Sequence, residues 1–434
     1  MPLNYLGALV LQGPENVAGW HTIKTYGPIV LLLAGAKYFF GGAKNTWERD
    51  LHGKVYIITG ATSGMGARIA YELASKGAQV ILLVRSTHDA WLIGFVEDLR
   101  TTTNNFMIYA EECDLDSLYS VRKFATKWLD SKLPRRLDGV ICCAAECMPV
   151  GKDRMVTEDG VEKHIGVNYL GHFHLLTLIA PSLRSQPPDR DVRVIIPTCL
   201  SQATADVDLN DILWTNRRYP RNQPFKVFGT SKLMLGMFAG EFQRRISNYE
   251  RKDKVPCNVR LHMVNPGLMR TPSTRRFLSF GSIMGLLLYL LLYPLILLLL
   301  KTPFEGAQSI FFALAVPLST APAGSYIQEC KVIKPSRKEL SDEALQGKLF
   351  TETEKAIESL EKNSAIQRKK KEQDDAKKNK SKQKDSKKGK NNKQDDEKIK
   401  PKDVSELDSK LESIRSLLGM QQTLNNDELP LFPN

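Results

Sequence analysis

Between residues 54 and 330, short β-branched apolar runs alternate with stretches whose apolar positions recur every three to four residues. The runs at 55–59, 80–84, 106–111, 139–143, 193–198 and 260–264 predict strands, with a shorter one near 325–327. Helical patterns separate most of them. This rhythm implies an α/β protein with a doubly wound parallel sheet, helices on both faces, in the three-layer Rossmann arrangement.

Two apolar runs stand outside that rhythm. Residues 26–40 read YGPIVLLLAGAKYFF. A bilayer core needs roughly twenty apolar residues, so this run is a marginal span or an interfacial anchor. Lys37 and Lys44 are placed to snorkel, and Tyr38 suits the headgroup zone. Residues 286–300 read LLLYLLLYPLILLLL, interrupted by Pro294. By hydropathy this is a transmembrane candidate. Strands precede and follow it, however, and all must join one sheet on one side of a membrane. It must therefore enter and leave on the same face, as a hairpin or as a helix lying in the interface.

After the last strand, residues 337–361 predict a helix with Ser336 as its cap. Residues 362–403 form a Lys-rich linker, expected to be disordered. Val404, Leu407, Leu411, Ile414 and Leu418 then make an apolar stripe of two heptads. A helix over 404–418 is too short to stand alone and predicts docking on a protein partner. The chain thus divides into an anchor segment (1–50), an α/β domain (51–361, with the apolar insertion 278–300), a linker (362–403) and a short amphipathic helix with a tail (404–434).

The formal charge of +13 is concentrated: residues 368–403 hold sixteen Lys/Arg against eight Asp/Glu. Charge therefore bears on partners of the tail only. A solvated linker comes first and anionic lipid headgroups second. Nucleic acid comes last, because no aromatic residue stands there to stack on bases. The seven cysteines include no C-x-x-C pair. They read as reduced, buried structural thiols of a cytosol-facing protein, with no metal site expected.

The candidate chemistry begins at Thr59-Gly60-Ala61-Thr62-Ser63-Gly64-Met65-Gly66, between the first strand and a helix. Gly60 permits the tight turn. Gly64 and Gly66 let the backbone approach a diphosphate, which the helix N-terminus then faces with free N–H groups. Arg85 ends the second strand, where an acid would select NAD; an arginine suits a 2′-phosphate. Asp114, after the third strand, is placed to accept from an adenine amino group.

With these residues the chain resembles the short-chain dehydrogenase/reductase family, and within it the membrane-bound branch of retinol dehydrogenases. The similarity runs from about residue 52 to 360. T-G-x-x-x-G-x-G is intact, and Asn168-Tyr169-Leu170-Gly171-His172-Phe173 matches N-H-L-G-H-F except at Tyr169. Asn265-Pro266-Gly267 through Thr271 matches the N-P-G-x-x-x-T that cradles nicotinamide, and Lys301 through Gln308 matches K-T-P-x-E-G-A-Q. The resemblance implies an NADP(H) cofactor held by Thr59, Gly60, Ser63, Gly64, Met65, Gly66, Arg85, Asp114, Ala144, Lys232, Pro266, Gly267 and Thr271. It also implies an apolar, lipid-like alcohol or carbonyl as substrate, and a place on the endoplasmic reticulum membrane or a lipid droplet.

The catalytic positions depart from the family. Asn168 and Lys232 are kept, but the catalytic tyrosine maps onto Phe228 and the serine onto Cys199. The family's N-N-A-G appears as Cys142-Cys143-Ala144-Ala145. A phenyl ring has no proton to give an alkoxide, and loss of a general acid typically costs about 10²–10⁴ in rate. Two readings follow: an oxidoreductase with a shifted acid, such as Tyr219 or a water held by Asn168 and Lys232, or a weak or inactive NADP(H)-binding scaffold that binds lipid and a protein partner.

Overall fold

In a computed structural model the chain is described at residues 20–130 and 135–388. It divides into two units, residues 1–366 and 367–434. The first contains the whole sheet.

Strands β1 (Val55–Thr59), β2 (Gln79–Val84), β3 (Ile108–Glu112), β4 (Gly139–Cys142), β5 (Val192–Pro197), β6 (Val259–Asn265) and β7 (Tyr326–Gln328) are parallel, in the order 3-2-1-4-5-6-7. The helices are α1 (Trp20–Gly41), α2 (Gly64–Ser75), α3 (Ala90–Thr103), α4 (Leu118–Leu129), α5 (Gly171–Arg184), α6 (Pro224–Ser247), α7 (Pro272–Leu278), α8 (Ile283–Leu291), α9 (Tyr293–Leu299), α10 (Pro303–Ala315) and α11 (Glu343–Lys388). α2, α3 and α10 pack together on one face, and α4, α5 and α6 on the other. The expected doubly wound architecture is present, with strand ends shifted by one or two residues.

Each inner strand is buried along its length because helices cover both faces. The larger core lies under α4–α6. α11 completes it: Phe350 stacks on Phe238 at 5.8 Å and meets Phe173 at 4.9 Å. On the other face, register aligns Tyr56, Gly139, Arg193 and Arg260 in one row across β1, β4, β5 and β6. A Cβ at Gly139 would stand 2.7 Å from the Tyr56 ring, so that position must be bare. Arg193 is fully buried and donates to the Ala313 and Val316 carbonyls at the end of α10 and to Asp191. It thereby satisfies carbonyls that a helix C-terminus leaves open.

Several expectations change. An antiparallel strand, β8 (Lys331–Ile333), follows β7 through Glu329 and Cys330, which hold φ of 50° and 52°. Left-handed φ at both central residues marks the hairpin turn whose twist suits flanking strands. Without Gly or Asn there, sequence signals miss it; the Glu329 carboxylate fixes the turn by pairing with Lys301 and accepting from the Ala43 amide. Ser336 caps no helix. Arg337 is drawn to Glu339 and to the Ala203 and Ala205 carbonyls, and Asp342 instead accepts from the Leu345 amide at the start of α11. α11 runs on to Lys388, into the segment expected to be disordered. Helix extension from packed turns is easy for Lys-, Gln- and Ala-rich sequence. The rest of that linker and the 404–418 stripe lie outside the described residues.

The apolar insertion breaks at Leu292 into α8 and α9, because Pro294 opens a new helix and cannot continue the old one. Nine and seven residues reach only about 10–14 Å. α1 has no buried residue. Its polar start, His21 and Lys24, dilutes the apolar run, and among the described residues no helix is both long and apolar enough to cross a membrane. Lys37 does not snorkel. It turns inward to the Leu300 carbonyl (3.3 Å) and Glu305 (3.6 Å), tying α1 to the end of α9.

Arg193→Ala should lower unfolding stability by about 3 kcal/mol, because it strands two helix-end carbonyls and leaves Asp191 to Arg260 and Arg49 alone. A denaturant melt reads this directly. Burial alone would raise the Asp191 carboxyl, but hydrogen bonds from Arg193 and Arg260 and the charges of Arg193 and Arg49 bring it down to about 2. Its contribution is therefore present above about pH 4 and is lost as pH falls towards 2. Arg193→Ala should shrink that acid limb of the pH–stability curve, because Arg260 and Arg49 still hold the carboxylate.

Candidate active site

The strand order reverses between β1 and β4, and there the C-terminal strand ends open onto a cleft of about 770 Å³. The β1–α2 turn forms one wall. Gly60 and Gly64 hold φ of 64° and 56°, the left-handed region. A Cβ at Gly60 would lie 2.7 Å from the Ala144 Cα, and one at Gly66 2.2 Å from the Gly60 carbonyl oxygen. The turn is thus closed against both α2 and the loop after β4. Ser63, before α2, makes no side-chain capping bond. The amides of Gly64, Met65 and Gly66 therefore begin the helix without intrahelical partners, at the cleft wall. Uncapped amides at a helix start form an anion site.

A buried relay fixes this wall. His172 Nδ1 donates to the Asn168 carbonyl (3.1 Å), the Thr59 hydroxyl donates to His172 Nε2 (3.0 Å), and the Ala144 amide donates to Thr59 Oγ1 (3.0 Å). Every group has one role, so the tautomer is determined. Burial, reinforced by the charge of Lys232, brings His172 down to about 3 and keeps it neutral.

Arg85, Asp114 and Trp91 line one end of the cleft. Burial raises the Asp114 carboxyl, while the Asp116 amide donates to it and opposes the shift. Cys199, Phe228, Lys232, Pro266, Gly267 and Thr271 line the other. The N-P-G loop is held by Lys301: its amide donates to the Leu268 carbonyl, and its carbonyl accepts from Arg270. Lys232 is buried, and burial lowers its pKa. Its Nζ stands 6.0 Å from the centroid of the Phe228 ring, which carries no oxygen to meet it. The Cys199 sulfur lies 2.7 Å from the Ser201 hydroxyl.

Two placements differ from the sequence reading. Asn168 is fully buried behind the lining, in a π-helical turn (Ile165–Leu170) ahead of α5. It donates to the Glu146 carbonyl and the Ser231 hydroxyl and accepts from the Glu146 amide. Tyr219 is half-buried and lies outside the cleft. It packs on the core, its hydroxyl is enclosed without a hydrogen-bond partner, and burial raises its pKa. It cannot serve as the shifted acid. The cysteines also part company: Cys142 is buried away from the cleft, whereas Cys113, itself buried, and the partly exposed Cys143, Cys147 and Cys199 line it. Burial pushes Cys143 and Cys147 up to about 12, so both stay protonated.

The sequence reading missed Ser201, Glu146 and the apolar mouth. Phe225 of α6 and Phe277 of α7 face each other there at 6.5 Å, beside Leu268 and Met269. Ser201 was discoverable as the next hydroxyl after Cys199. The phenylalanines belong to segments without a motif.

Residues 54–200 match the family model described as short chain dehydrogenase. An uncharacterized oxidoreductase of Saccharomyces cerevisiae is 43% identical over 85% of this chain and 95% of that protein. Retinol dehydrogenase 13 of Homo sapiens is 30% identical over 74% of this chain and 89% of its own length. This chain belongs to the short-chain dehydrogenase/reductase family, in its retinol-dehydrogenase-like branch. Polyprenol dehydrogenase of Mus musculus is a further relative, 31% identical over 69% of this chain and 82% of that one.

A short-chain dehydrogenase/reductase uses a nicotinamide dinucleotide, and the residues present fit one. The tight turn at Gly60 and Gly66 brings the start of α2 to the cleft wall, the uncapped amides supply donors, Thr271 stands beside Gly64, and Lys232 lines the same cleft.

Gly66→Ala should abolish this fit, since its methyl group would displace the Gly60 carbonyl. NADPH affinity, read by quenching of tryptophan fluorescence, should fall at least about tenfold, the equivalent of one lost charge-assisted hydrogen bond.

Proposed function

We propose that the chain is a membrane-surface, NADP(H)-dependent oxidoreductase acting on an apolar alcohol or carbonyl of the isoprenoid type. One observation carries this reading. A single cleft joins the dinucleotide cradle to an apolar mouth, with Lys232, Cys199 and Ser201 between them. Arg85 supports the phosphorylated cofactor: it directly follows β2, in Val84-Arg85-Ser86, where the sequence has no acid. The names of the relatives, retinol and polyprenol dehydrogenase, support a long isoprenoid alcohol.

The surroundings of the mouth support delivery from lipid. α7 leads from the mouth into α8 and α9, whose Ile283, Met284, Leu287, Leu291 and Leu295 are exposed. α9 packs beside α1, where Ile29, Val30, Leu31, Leu32 and Phe39 are exposed as well. Apolar exposure on this scale marks an interaction surface. Helices too short or too polar to span suit one partner, the interfacial zone of a bilayer.

A bound reduced nicotinamide supplies a hydride. The chain must then hold the carbonyl oxygen and deliver a proton. Ser201 brings the hydroxyl that Cys199 lacks and polarises the oxygen. Lys232 is the proton source: burial destabilises its ammonium and makes Nζ a stronger acid than a free lysine. A lysine without its tyrosine partner leaves much of the general-acid advantage unused, so turnover is slow.

Phe228 favours a second reading, a cofactor-loaded scaffold. Its ring packs edge-on to the buried His164 at 5.9 Å, so the phenyl group has a built place of its own. His164 itself is committed: Nδ1 to Glu162 at 2.7 Å, and Nε2 accepting from the Met148 amide.

Retinal and long-chain prenal reduction, followed as NADPH consumption in lipid nanodiscs, separates the two. The wild type should turn over slowly, Phe228→Tyr should gain about a hundredfold, and Lys232→Ala should lose the residual activity. NADPH binding with no turnover in either protein would establish the scaffold.

A further inference from the structure

Glu146 is a charged residue that the chemistry above does not use. It follows Ala145 in the loop after β4, and its backbone is pinned on both sides by Asn168, at 2.7 Å through its amide and 3.0 Å through its carbonyl. Its carboxylate is only 14% exposed, and each oxygen takes one guanidinium. Oε2 accepts from Arg85 at 3.1 Å, and Oε1 from Arg276 at 2.8 Å. Arg85 comes from the end of β2, and Arg276 from α7. A fixed carboxylate thus joins the adenosine side of the cleft to the helix that carries Phe277 into its mouth.

The two arginines are unlike the carboxylate in freedom. Arg85 is 72% exposed and Arg276 55%, so either can swing away while Glu146 stays. A phosphate on the adenosine ribose would need the same Arg85 donors, in the paired geometry that guanidinium and phosphate share. Glu146 stands in the way twice over. It occupies Arg85, and its own negative charge repels a phosphate brought close to that arginine.

We propose that Glu146 is a specificity-setting counter-ion, which competes with the adenosine phosphate for Arg85 and, through Arg276, couples that exchange to α7. The inference rests on reading Arg85 as the phosphate ligand. Its consequence is selective: a 2′-phosphorylated nucleotide must displace Glu146, whereas an unphosphorylated one leaves the Arg85–Glu146–Arg276 chain intact. Coupling between two sites is reciprocal, so an event at α7 that draws Glu146 fully onto Arg276 makes Arg85 more available.

The full-length protein in nanodiscs tests this with adenosine 2′,5′-bisphosphate and adenosine 5′-monophosphate as probes, beside NADPH and NADH. Quenching of tryptophan fluorescence reports binding, since Trp91 lines the cleft. Glu146→Gln keeps the shape and removes the charge. It should tighten the 2′-phosphorylated ligands about three- to tenfold, the scale of a partly exposed ion pair plus relieved repulsion, and leave the others unchanged. Arg276→Gln, which leaves Arg85 as the sole partner of Glu146, should weaken the same ligands. Hydrogen exchange in α7 should respond to NADPH but not to NADH, and lose that response in Glu146→Gln. An unchanged NADPH/NADH affinity ratio in Glu146→Gln, with the wild type selective and Arg85→Ala unselective, overturns the role of Glu146 alone. A wild type that binds both cofactors equally, with Arg85→Ala silent, overturns the reading of Arg85 and this inference with it.

Discussion

The close approach of backbone to backbone at the start of α2 is the constraint on which the rest depends. With no side chain at Gly66, α2 can begin against the Gly60 carbonyl, and with none at Gly60 the loop after β4 can close on the turn. The uncapped amides then collect at the topological switch point of the sheet. Behind them, Thr59, His172 and Asn168 lock the loop by hydrogen bonds with one possible polarity. The catalytic end inherits its position from this wall, because Ala144 and Glu146 hang from the same relay. A neutral His172 is part of the design: a protonated ring could not accept from Thr59.

Around this rigid centre Phe228 and Cys199 stand where the family resemblance places a tyrosine and a serine, and α1, α8 and α9 present a surface that the sheet does not need. The replacements are coherent. Phe228 fills a place beside His164, and Cys199 is accompanied by a hydroxyl two residues on. The glycine turn is retained while a phenyl ring and a thiol stand where hydroxyls were expected, which is the basis for proposing slow turnover on a bound cofactor. α7 links the two regions, pairing with Glu146 through Arg276 and leading into the exposed apolar helices.

The sheet and the glycine turn were legible from residue order because each is a local pattern: an apolar run or a spacing. What escaped depends on distant partners. The Glu329–Cys330 turn lacks the residues that usually mark such turns and exists because Lys301 and Ala43 hold Glu329. Lys37 looks like a snorkelling lysine until α9 ends beside it. Tyr219 was a candidate donor by residue type, and only packing shows its hydroxyl shut away. Glu146 carried no motif at all, since its meaning comes from two arginines about sixty and one hundred and thirty residues away.

A single-turnover experiment tests the central claim most directly, that one cleft brings a nicotinamide dinucleotide and an apolar carbonyl together. The protein in nanodiscs is loaded with NADPH deuterated at the transferable position and mixed with excess long-chain prenal, and the alcohol is analysed by mass spectrometry. Slow appearance of one deuterium on the carbinol carbon, one per protein molecule, is the result the structure predicts. A fully loaded protein that transfers no deuterium over many hours, with Phe228→Tyr equally inert, would contradict it.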